Sequence, residues 1–176
     1  MSVKPFSGFV VVMGVAGCGK SSLGQRCAQA CDLPLLEGDD FHSLSNVDKM
    51  RSGTPLNDAD REAWLQVLAA QLKAHPQGVV LTCSALRRRY RDQLRAAVPD
   101  LRFLFLSLSE TQARERVAAR SAHLFPPSLV ASQFEALEDP SAEPGVLCLD
   151  AMQPLNALQA QAVAWLGVAA SLPLES

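Results

Sequence analysis

The stretch Gly14-Val-Ala-Gly-Cys-Gly-Lys20-Ser21 follows the apolar run Phe9–Met13 and leads into an amphipathic segment that begins at Lys20. It fits the pattern G-x-x-x-x-G-K-[ST], in the strand-then-helix context that this pattern requires. Glycines let the backbone N–H groups curl around phosphate oxygens, and the positive end of the following helix faces the same anion. The lysine of this pattern reaches the β- and γ-phosphates, and the hydroxyl of Ser21 binds Mg²⁺. We therefore predict a site for the phosphates of a nucleoside triphosphate, formed by Gly14, Val15, Ala16, Gly17, Cys18, Gly19, Lys20, Ser21 and Ser22.

Outward from this loop, short apolar runs alternate with amphipathic segments along the chain. The runs predict strands at 9–13, 79–83, 101–106 and 146–150, with a weaker candidate at 34–37. The amphipathic segments predict helices at 20–31, 58–74, 86–98, 110–120, 128–137 and 155–166. Nearly continuous apolar strands are typical of a parallel sheet that is covered on both faces. The alternation therefore predicts an α/β fold with a doubly wound sheet, and no linker divides the chain into domains.

Composition and charge exclude several classes of protein. Sixteen Lys and Arg against eighteen Asp and Glu give a formal net charge of −2, which argues against a protein that binds nucleic acid through its phosphate backbone. Hydrophobic residues make up 48% of the 176 residues, enough for a packed core. No apolar run is long enough to span a membrane, and no signal-peptide pattern occurs. We therefore expect a cytoplasmic protein.

The five cysteines form no C-x-x-C pair, which argues against both a disulfide framework and a zinc site. We expect them to be buried thiols in a reducing compartment. They are Cys18, Cys27, Cys31, Cys83 and Cys148.

Two classes of nucleotide-binding protein compete for this sequence: a regulatory or motor NTPase and a small-molecule kinase. The chain contains no N-K-x-D guanine motif, and the strand that ends at Cys83 runs into Ser84-Ala85 rather than into an acidic residue. The chain is also short for the additional elements of a motor. The kinase is therefore the favoured hypothesis.

Acidic residues follow the second strand candidate in Glu37-Gly-Asp39-Asp40-Phe-His42. A carboxylate just beyond the carboxyl end of a parallel strand lies in the crevice where such folds bind ligands. There it either accepts the proton of a substrate hydroxyl or holds Mg²⁺ through water. Asp39 is the first candidate and Asp40 the second, while the alternative is a polar turn that caps the next helix.

Two arginine-rich segments add cations near the same edge of the sheet. The first arginine-rich segment begins at Arg87, where the third predicted strand ends, so we expect the side chain of Arg87 to face the crevice. Arg116 and Arg120 are four apart and share a helix face that leads into a proline-bounded loop. That segment is either a lid that closes over ATP or an ordinary exposed helix.

Together these segments resemble the gluconate kinases of the thermoresistant type, within the P-loop small-molecule kinases. The resemblance covers almost the whole chain and is most specific in Pro55-Leu-Asn-Asp-x-Asp-Arg61-x-x-Trp-Leu65 and Cys83-Ser-Ala-Leu-x-x-x-Tyr-Arg-Asp92. Further matching segments are 13–21, 38–42, 46–50 and 133–138. The sequence departs from the family at Cys18, where Ser is usual, and at Arg87, where Lys is usual.

The resemblance implies ATP-dependent phosphorylation of D-gluconate to 6-phosphogluconate by a homodimer. It implies a three-layer α/β/α P-loop fold with a five-stranded parallel sheet, a single domain over 1–176 and a lid at about 114–128. Asp39 becomes the acceptor of the 6-hydroxyl proton, and Lys20 the other catalytic residue. Arg116 and Arg120 contact the nucleotide, and Gln153 and Pro154 lie where related kinases hold adenine. The residues implied for the substrate are His42, Lys49, Arg61, Ser84, Arg87 and His123.

Three alternatives stay open. Shikimate kinases and other sugar-acid kinases share the phosphate loop and the acidic strand end, and a nucleotide-binding regulator that no longer transfers phosphate would share the loop alone.

Overall fold

The structure is a computed structural model that describes residues 6–120 and 126–168. Five parallel strands form one sheet in the order β2-β3-β1-β4-β5. Gly8–Met13 is β1, Leu35–Glu37 is β2, Gly78–Thr82 is β3, Arg102–Ser107 is β4 and Val146–Asp150 is β5. Since all five strands run in the same direction, their carboxyl ends meet at one edge, and the loops that follow them converge there.

Helices cover both faces of the sheet. They are α1 (Lys20–Cys31), α2 (Leu44–Arg51), α3 (Asp58–Lys73), α4 (Arg88–Ala97), α5 (Glu110–Ala119), α6 (Val130–Ala136) and α7 (Leu155–Leu166). Side chains of α3 and α4, such as Leu68 and Leu94, form the core on one face. Side chains of α1, α5, α6 and α7, such as Leu23 and Leu158, form the core on the other. The predicted three-layer α/β/α architecture is therefore confirmed.

The predicted elements match the described ones closely, with one omission. Helix α2 was not predicted, because its apolar residues are few and Leu44 points into solvent with 83% of its surface exposed. Its sequence signal is the cap: Ser43 Oγ accepts a hydrogen bond from the backbone N–H of Asn46. Helix α4 begins two residues later than predicted, after Ala85 adopts a left-handed backbone with φ 46°.

Two smaller expectations have mixed outcomes. Four of the five cysteines are buried as predicted, but Cys148 is exposed on the edge strand β5. All five are free thiols. No helix in the described part of the chain combines the length and hydrophobicity that crossing a membrane requires.

Candidate functional site

An open cleft of about 1130 Å³ lies at the carboxyl edge of the sheet. Its walls come from the phosphate loop on one side and from the segments after β2 and β3 on the other. Eleven residues that the sequence singled out line it: Ala16, Gly17, Gly19, Lys20, Ser21, Ser22, Asp39, His42, Arg61, Ser84 and Arg120. The fold thus brings together side chains that lie as much as 104 residues apart in sequence (120 − 16).

The phosphate loop closes tightly on itself. Gly14 has φ 148°, and a Cβ there would lie 2.7 Å from Cys18 Sγ and 2.9 Å from the carbonyl oxygen of Leu106, so only glycine fits. Lys20 Nζ donates to the carbonyls of Gly14 at 3.0 Å and Val15 at 3.1 Å. Cys18 is fully buried, so its thiol packs inside the loop. Gly14, Val15 and Cys18 belong to the loop but do not line the cleft.

Ser21, at the start of α1, is held by a carboxylate that the sequence reasoning did not select. Its hydroxyl donates to Glu37 Oε2 at 2.9 Å, and the same oxygen accepts from Thr82 Oγ1 at 2.6 Å. Hydroxyl and carboxylate oxygens are the ligand types that Mg²⁺ prefers, so this pair fits a Mg²⁺ ion bound together with substrate phosphates. No group of three or more His, Cys, Asp or Glu suited to a metal occurs within residues 6–120 and 126–168.

Asp39 is placed by the glycine before it. The residues Gly38–Phe41 form a 3₁₀ turn directly after β2. A Cβ at Gly38 would lie 2.2 Å from the carbonyl oxygen of Thr82, so a side chain there would push the turn off the sheet. Trp64 Nε1 also donates to the Gly38 carbonyl at 2.8 Å, which fixes the turn from the side of α3. Asp39 lines the cleft, whereas Asp40 does not.

The carboxylate of Asp39 stays ionised in these surroundings. The imidazole of His42 lowers its pKa most, the positive charge of Lys20 lowers it further, and partial burial acts in the opposite direction. His42 Nε2 lies 3.7 Å from Asp39 Oδ1, which is longer than a formed hydrogen bond. Lys20 and Asp39 line the same cleft, so the charge of the phosphate-loop lysine acts on the carboxylate of the acidic turn.

The ring of His42 is almost fully enclosed, with 3% of its side chain exposed. It stacks on Trp64 at a centroid distance of 4.2 Å and an interplanar angle of 18°. Trp64 is buried and lines the floor of the cleft, a role that no local sequence pattern indicates. The stacked pair holds one edge of the imidazole toward Asp39.

Of the three cations proposed for the substrate, only Arg61 lines the cleft. Lys49 pairs instead with Asp60 at 2.7 Å, and that carboxylate also closes the capping box of α3. Arg87 occupies the N-cap position of α4 without a side-chain cap hydrogen bond, and its Nη1 lies 3.8 Å from Glu138 Oε1. The structure therefore does not bring Lys49 or Arg87 to the cleft, because each has a carboxylate partner elsewhere.

The predicted nucleotide contacts beyond the phosphate loop are distributed along α5 and the segment after β5. Arg116 donates from Nη1 to the carbonyls of Gly17 and Cys18, both at 3.3 Å, and from Nη2 to Ala151 at 2.9 Å. It thus ties the phosphate loop to the end of β5. Gln153 and Pro154 follow Ala151 but do not line the cleft.

The predicted lid at 114–128 is described only in part. Residues 114–119 belong to α5, whose Val117 is buried in the core, and Arg120 caps that helix at the rim of the cleft. His123 lies outside the described residues.

A further residue meets the phosphate loop without any local sequence signal. Gln133 of α6 accepts a hydrogen bond at its Oε1 from the backbone N–H of Ala16, at 2.7 Å. It also lines the cleft. The two residues are 117 positions apart, so only the fold shows the contact.

Comparison with known proteins agrees with this geometry. The family described as "AAA domain" matches residues 9–141. The thermoresistant gluconokinase of Escherichia coli is 39% identical over 157 residues, which cover 87% of this chain and 90% of that protein. The gluconokinase of Gluconobacter oxydans is 41% identical over 151 residues, which cover 84% of this chain and 83% of that protein.

Two solved structures that resemble this chain differ in whether they share its family or only its fold. A gluconokinase from Sinorhizobium meliloti superposes with a TM-score of 0.85 at 44% identity, over 93% of this chain and 94% of that one. A shikimate kinase from Aquifex aeolicus superposes with a TM-score of 0.61 at 14% identity, over 90% of this chain and 96% of that one. At this identity the likeness shows the fold alone. With its phosphate loop and acidic turn lining one cleft, this chain is a P-loop kinase and belongs to the gluconokinase family.

Proposed function

We propose that this protein catalyses the ATP-dependent phosphorylation of D-gluconate to 6-phospho-D-gluconate. The observation that carries the proposal is the single cleft in which Lys20 and Ser21 of the phosphate loop face Asp39, His42 and Arg61. A phosphate-binding wall opposite an ionised carboxylate and a cation suits an anionic sugar acid that bears a hydroxyl. The relatives of this chain are named gluconokinases, which supports the choice of acceptor.

The nucleotide half of the site holds ATP through the loop and its lysine. The N–H groups of the loop bind phosphate oxygens, and Lys20 turns from the Gly14 and Val15 carbonyls toward the γ-phosphate. Ser22 lies beside them, and Arg120 at the rim of the cleft neutralises charge on the transferring group. Arg116 acts by holding the loop and the segment at Gln153 and Pro154 together.

The acceptor half positions the 6-hydroxyl of gluconate for in-line attack. The hydroxyl oxygen forms a bond to the γ-phosphorus, the bond between that phosphorus and the bridging oxygen breaks, and ADP leaves with the electron pair. The hydroxyl proton passes to Asp39. Arg61 binds the carboxylate of gluconate, because its neighbour Asp60 is already paired with Lys49. His42 and Ser84 contact the polyol.

Ser21 and Glu37 would hold Mg²⁺ with the phosphates of ATP. When bound, the ion neutralises phosphate charge and keeps the β- and γ-phosphoryl groups in a reactive geometry. Glu37 orients the Ser21 hydroxyl through the 2.9 Å hydrogen bond.

Three broader proposals accompany this activity. We propose one kinase domain over 1–176, a lid that includes Arg120 and His123, and a homodimer, all on the resemblance to the family. The need for ATP supports a cytoplasmic location. Size-exclusion chromatography with light scattering tests the dimer.

The experiment is an ADP-release assay with ATP, Mg²⁺ and a panel of acceptors: gluconate, idonate, shikimate and several nucleosides. We expect gluconate to stimulate ADP release far above the others and ³¹P NMR to identify the 6-phosphate. If shikimate or idonate stimulated ADP release more than gluconate does, that acceptor rather than gluconate would be the substrate. ATP binding without stimulation by any acceptor would leave a nucleotide-binding regulator as the function.

A further inference from the structure

Asn46 is a buried polar residue next to the acidic turn, and the proposed mechanism does not use it. Only 4% of its surface is exposed. It lies in the first turn of α2, where its Nδ2 is 3.3 Å from His42 Nδ1 and 3.2 Å from the backbone carbonyl oxygen of Asp60. One amide group therefore links α2, the histidine of the site and the first turn of α3.

The orientation of this amide follows from the carbonyl of Asp60. A backbone carbonyl oxygen can only accept, so the Asn46 atom beside it must be the NH₂ group. The same nitrogen has a second hydrogen, and it faces His42 Nδ1. That ring nitrogen must therefore accept, and in the neutral imidazole the proton then resides on Nε2.

The Nε2–H of His42 is the edge that faces Asp39. Nε2 lies 3.7 Å from Asp39 Oδ1, and the stacking on Trp64 keeps the ring in its plane. When the two groups approach to hydrogen-bond distance, a donor at this position orients one carboxylate oxygen and leaves the other to accept the proton of a substrate hydroxyl. A ring turned by 180° would place a C–H group there instead, and the other tautomer would place an unprotonated nitrogen there.

We propose that Asn46 is a positioning residue that fixes the tautomer and the orientation of His42, so that His42 presents its Nε2–H to the catalytic carboxylate Asp39. The chain of contact is Asn46 Nδ2 to His42 Nδ1, then His42 Nε2 to Asp39 Oδ1. The kinetic part of this inference rests on the proposed gluconokinase activity, whereas the tautomer is a property of the protein alone.

The tautomer is measured on the ¹⁵N-labelled wild-type protein without ligands, from the two-bond ¹H–¹⁵N spectrum of its histidine rings. A His42→Gln variant assigns the His42 signals among the three histidines. We expect the neutral ring of His42 to carry its proton on Nε2 and none on Nδ1. In Asn46→Asp, where the side chain accepts instead of donating, Nδ1 should gain a proton. A neutral wild-type ring with its proton on Nδ1, or an unchanged ring in Asn46→Asp, would overturn the proposal.

Kinetics test whether the contact acts on catalysis. Asn46→Ala should lower kcat for gluconate about fivefold, which corresponds to about 1 kcal/mol, with little change in the KM for ATP. Ser43→Ala is the matched control, since it removes the cap hydrogen bond from the backbone N–H of Asn46 but leaves the side-chain amide of Asn46 in place. We expect Ser43→Ala to keep the wild-type kcat.

A double-mutant cycle separates positioning from a merely structural role. If Asn46 acts through His42, Asn46→Ala should have almost no effect on kcat in a His42→Gln background. Equal losses in Asn46→Ala and Ser43→Ala, or full additivity with His42→Gln, would overturn the proposal while the gluconokinase activity stands. Absence of gluconate phosphorylation in the wild type would instead contradict the proposed function, and the NMR spectrum would still decide the tautomer.

Discussion

Asp39 and Asp40 are neighbours in sequence but have different surroundings. Asp39 lines the cleft, and its pKa is lowered by His42 and Lys20, whereas Asp40 lies outside the lining. A carboxylate with a lowered pKa is a weak base. It suits phosphoryl transfer because the loose transition state requires the hydroxyl to be oriented more than deprotonated in advance.

Asp39→Asn should lower kcat by roughly 10²–10⁴-fold and leave the KM for ATP nearly unchanged. The amide keeps the size of the side chain but removes its charge and its ability to take up a proton. Steady-state kinetics with gluconate measure the effect, and Asp40→Asn is the control with an expected rate close to the wild type. Loss of rate in both variants, or in neither, would remove Asp39 from the catalytic role.

Sequence reasoning identified the residues of the site whose function is local. Lys20, Ser21 and Asp39 are set by a loop and by a strand end, and the cleft contains all three. It did not find Glu37 or Gln133, whose partners are distant in sequence. Lys49 and Arg87 lie beside Asp60 and Glu138 rather than in the cleft lining, and a charge alone does not show which carboxylate it will meet.

At the scale of elements, a buried ion pair joins helix α4 to the loop before β5. Arg91 is fully buried and donates to both oxygens of Glu143, at 3.0 Å and 2.5 Å. It also donates to the carbonyls of Ala85 and Glu138, at 2.7 Å and 3.0 Å. Arg91 thereby fixes the backbone directly after Ser84, one of the residues that line the cleft.

Glu143→Gln should lower the free energy of unfolding by about 3 kcal/mol or more, because it leaves the Arg91 charge buried without its counter-ion. Urea denaturation measures the loss. The control is Glu110→Gln, which breaks an exposed pair with Arg114 on α5 and should cost less than about 0.5 kcal/mol. A similar small cost in both variants would show that Arg91 is adequately satisfied by carbonyls.

The contribution of Glu143 also depends on pH. Burial acts to raise its pKa, but the hydrogen bonds from Arg91 and Arg95 outweigh this and hold the pKa below its usual value. The stabilisation is therefore complete above the unfolded-state pKa of about 4.3 and is lost as the pH falls through the lower folded-state pKa. The difference in stability between wild type and Glu143→Gln should be constant near neutral pH and shrink below about pH 4. A difference that grows on acidification would contradict this sign.

Sequence patterns predicted the strands and long helices well because their apolar faces are buried in the two cores. All five residues of β3 (Gly78–Thr82) are buried, so its apolar sequence reflects burial on both faces of the sheet. Helix α2 lacks such an apolar pattern, because only Asn46 and Met50 of its residues are buried. It is held by the Ser43 cap and by the hydrogen bonds of Asn46. Short helices that are held by polar contacts remain the hardest elements to predict.

At the scale of the whole molecule, the near-neutral net charge conceals a local concentration of cations. Lys20, Arg61 and Arg120 line one cleft, although the formal net charge of the chain is −2. Such placement attracts an anionic nucleotide and an anionic acceptor to the same opening. The cleft also lies between separate segments of the chain, so a ligand that fills it contacts several of them at once.

Ligand binding should therefore stabilise the folded protein as a whole. At a concentration of Mg²⁺–ATP about 100-fold above its Kd, binding adds about 2.7 kcal/mol, which raises the Tm by about 5–10 °C for a chain of this length. Differential scanning fluorimetry measures the shift, and chelation of Mg²⁺ with EDTA should reduce it. Lys20→Ala is the matched variant, because it removes the charge that faces the phosphates and should lose most of the shift while the Tm without nucleotide changes little. An equal shift in Lys20→Ala would mean that ATP stabilises the protein from a site other than the phosphate loop.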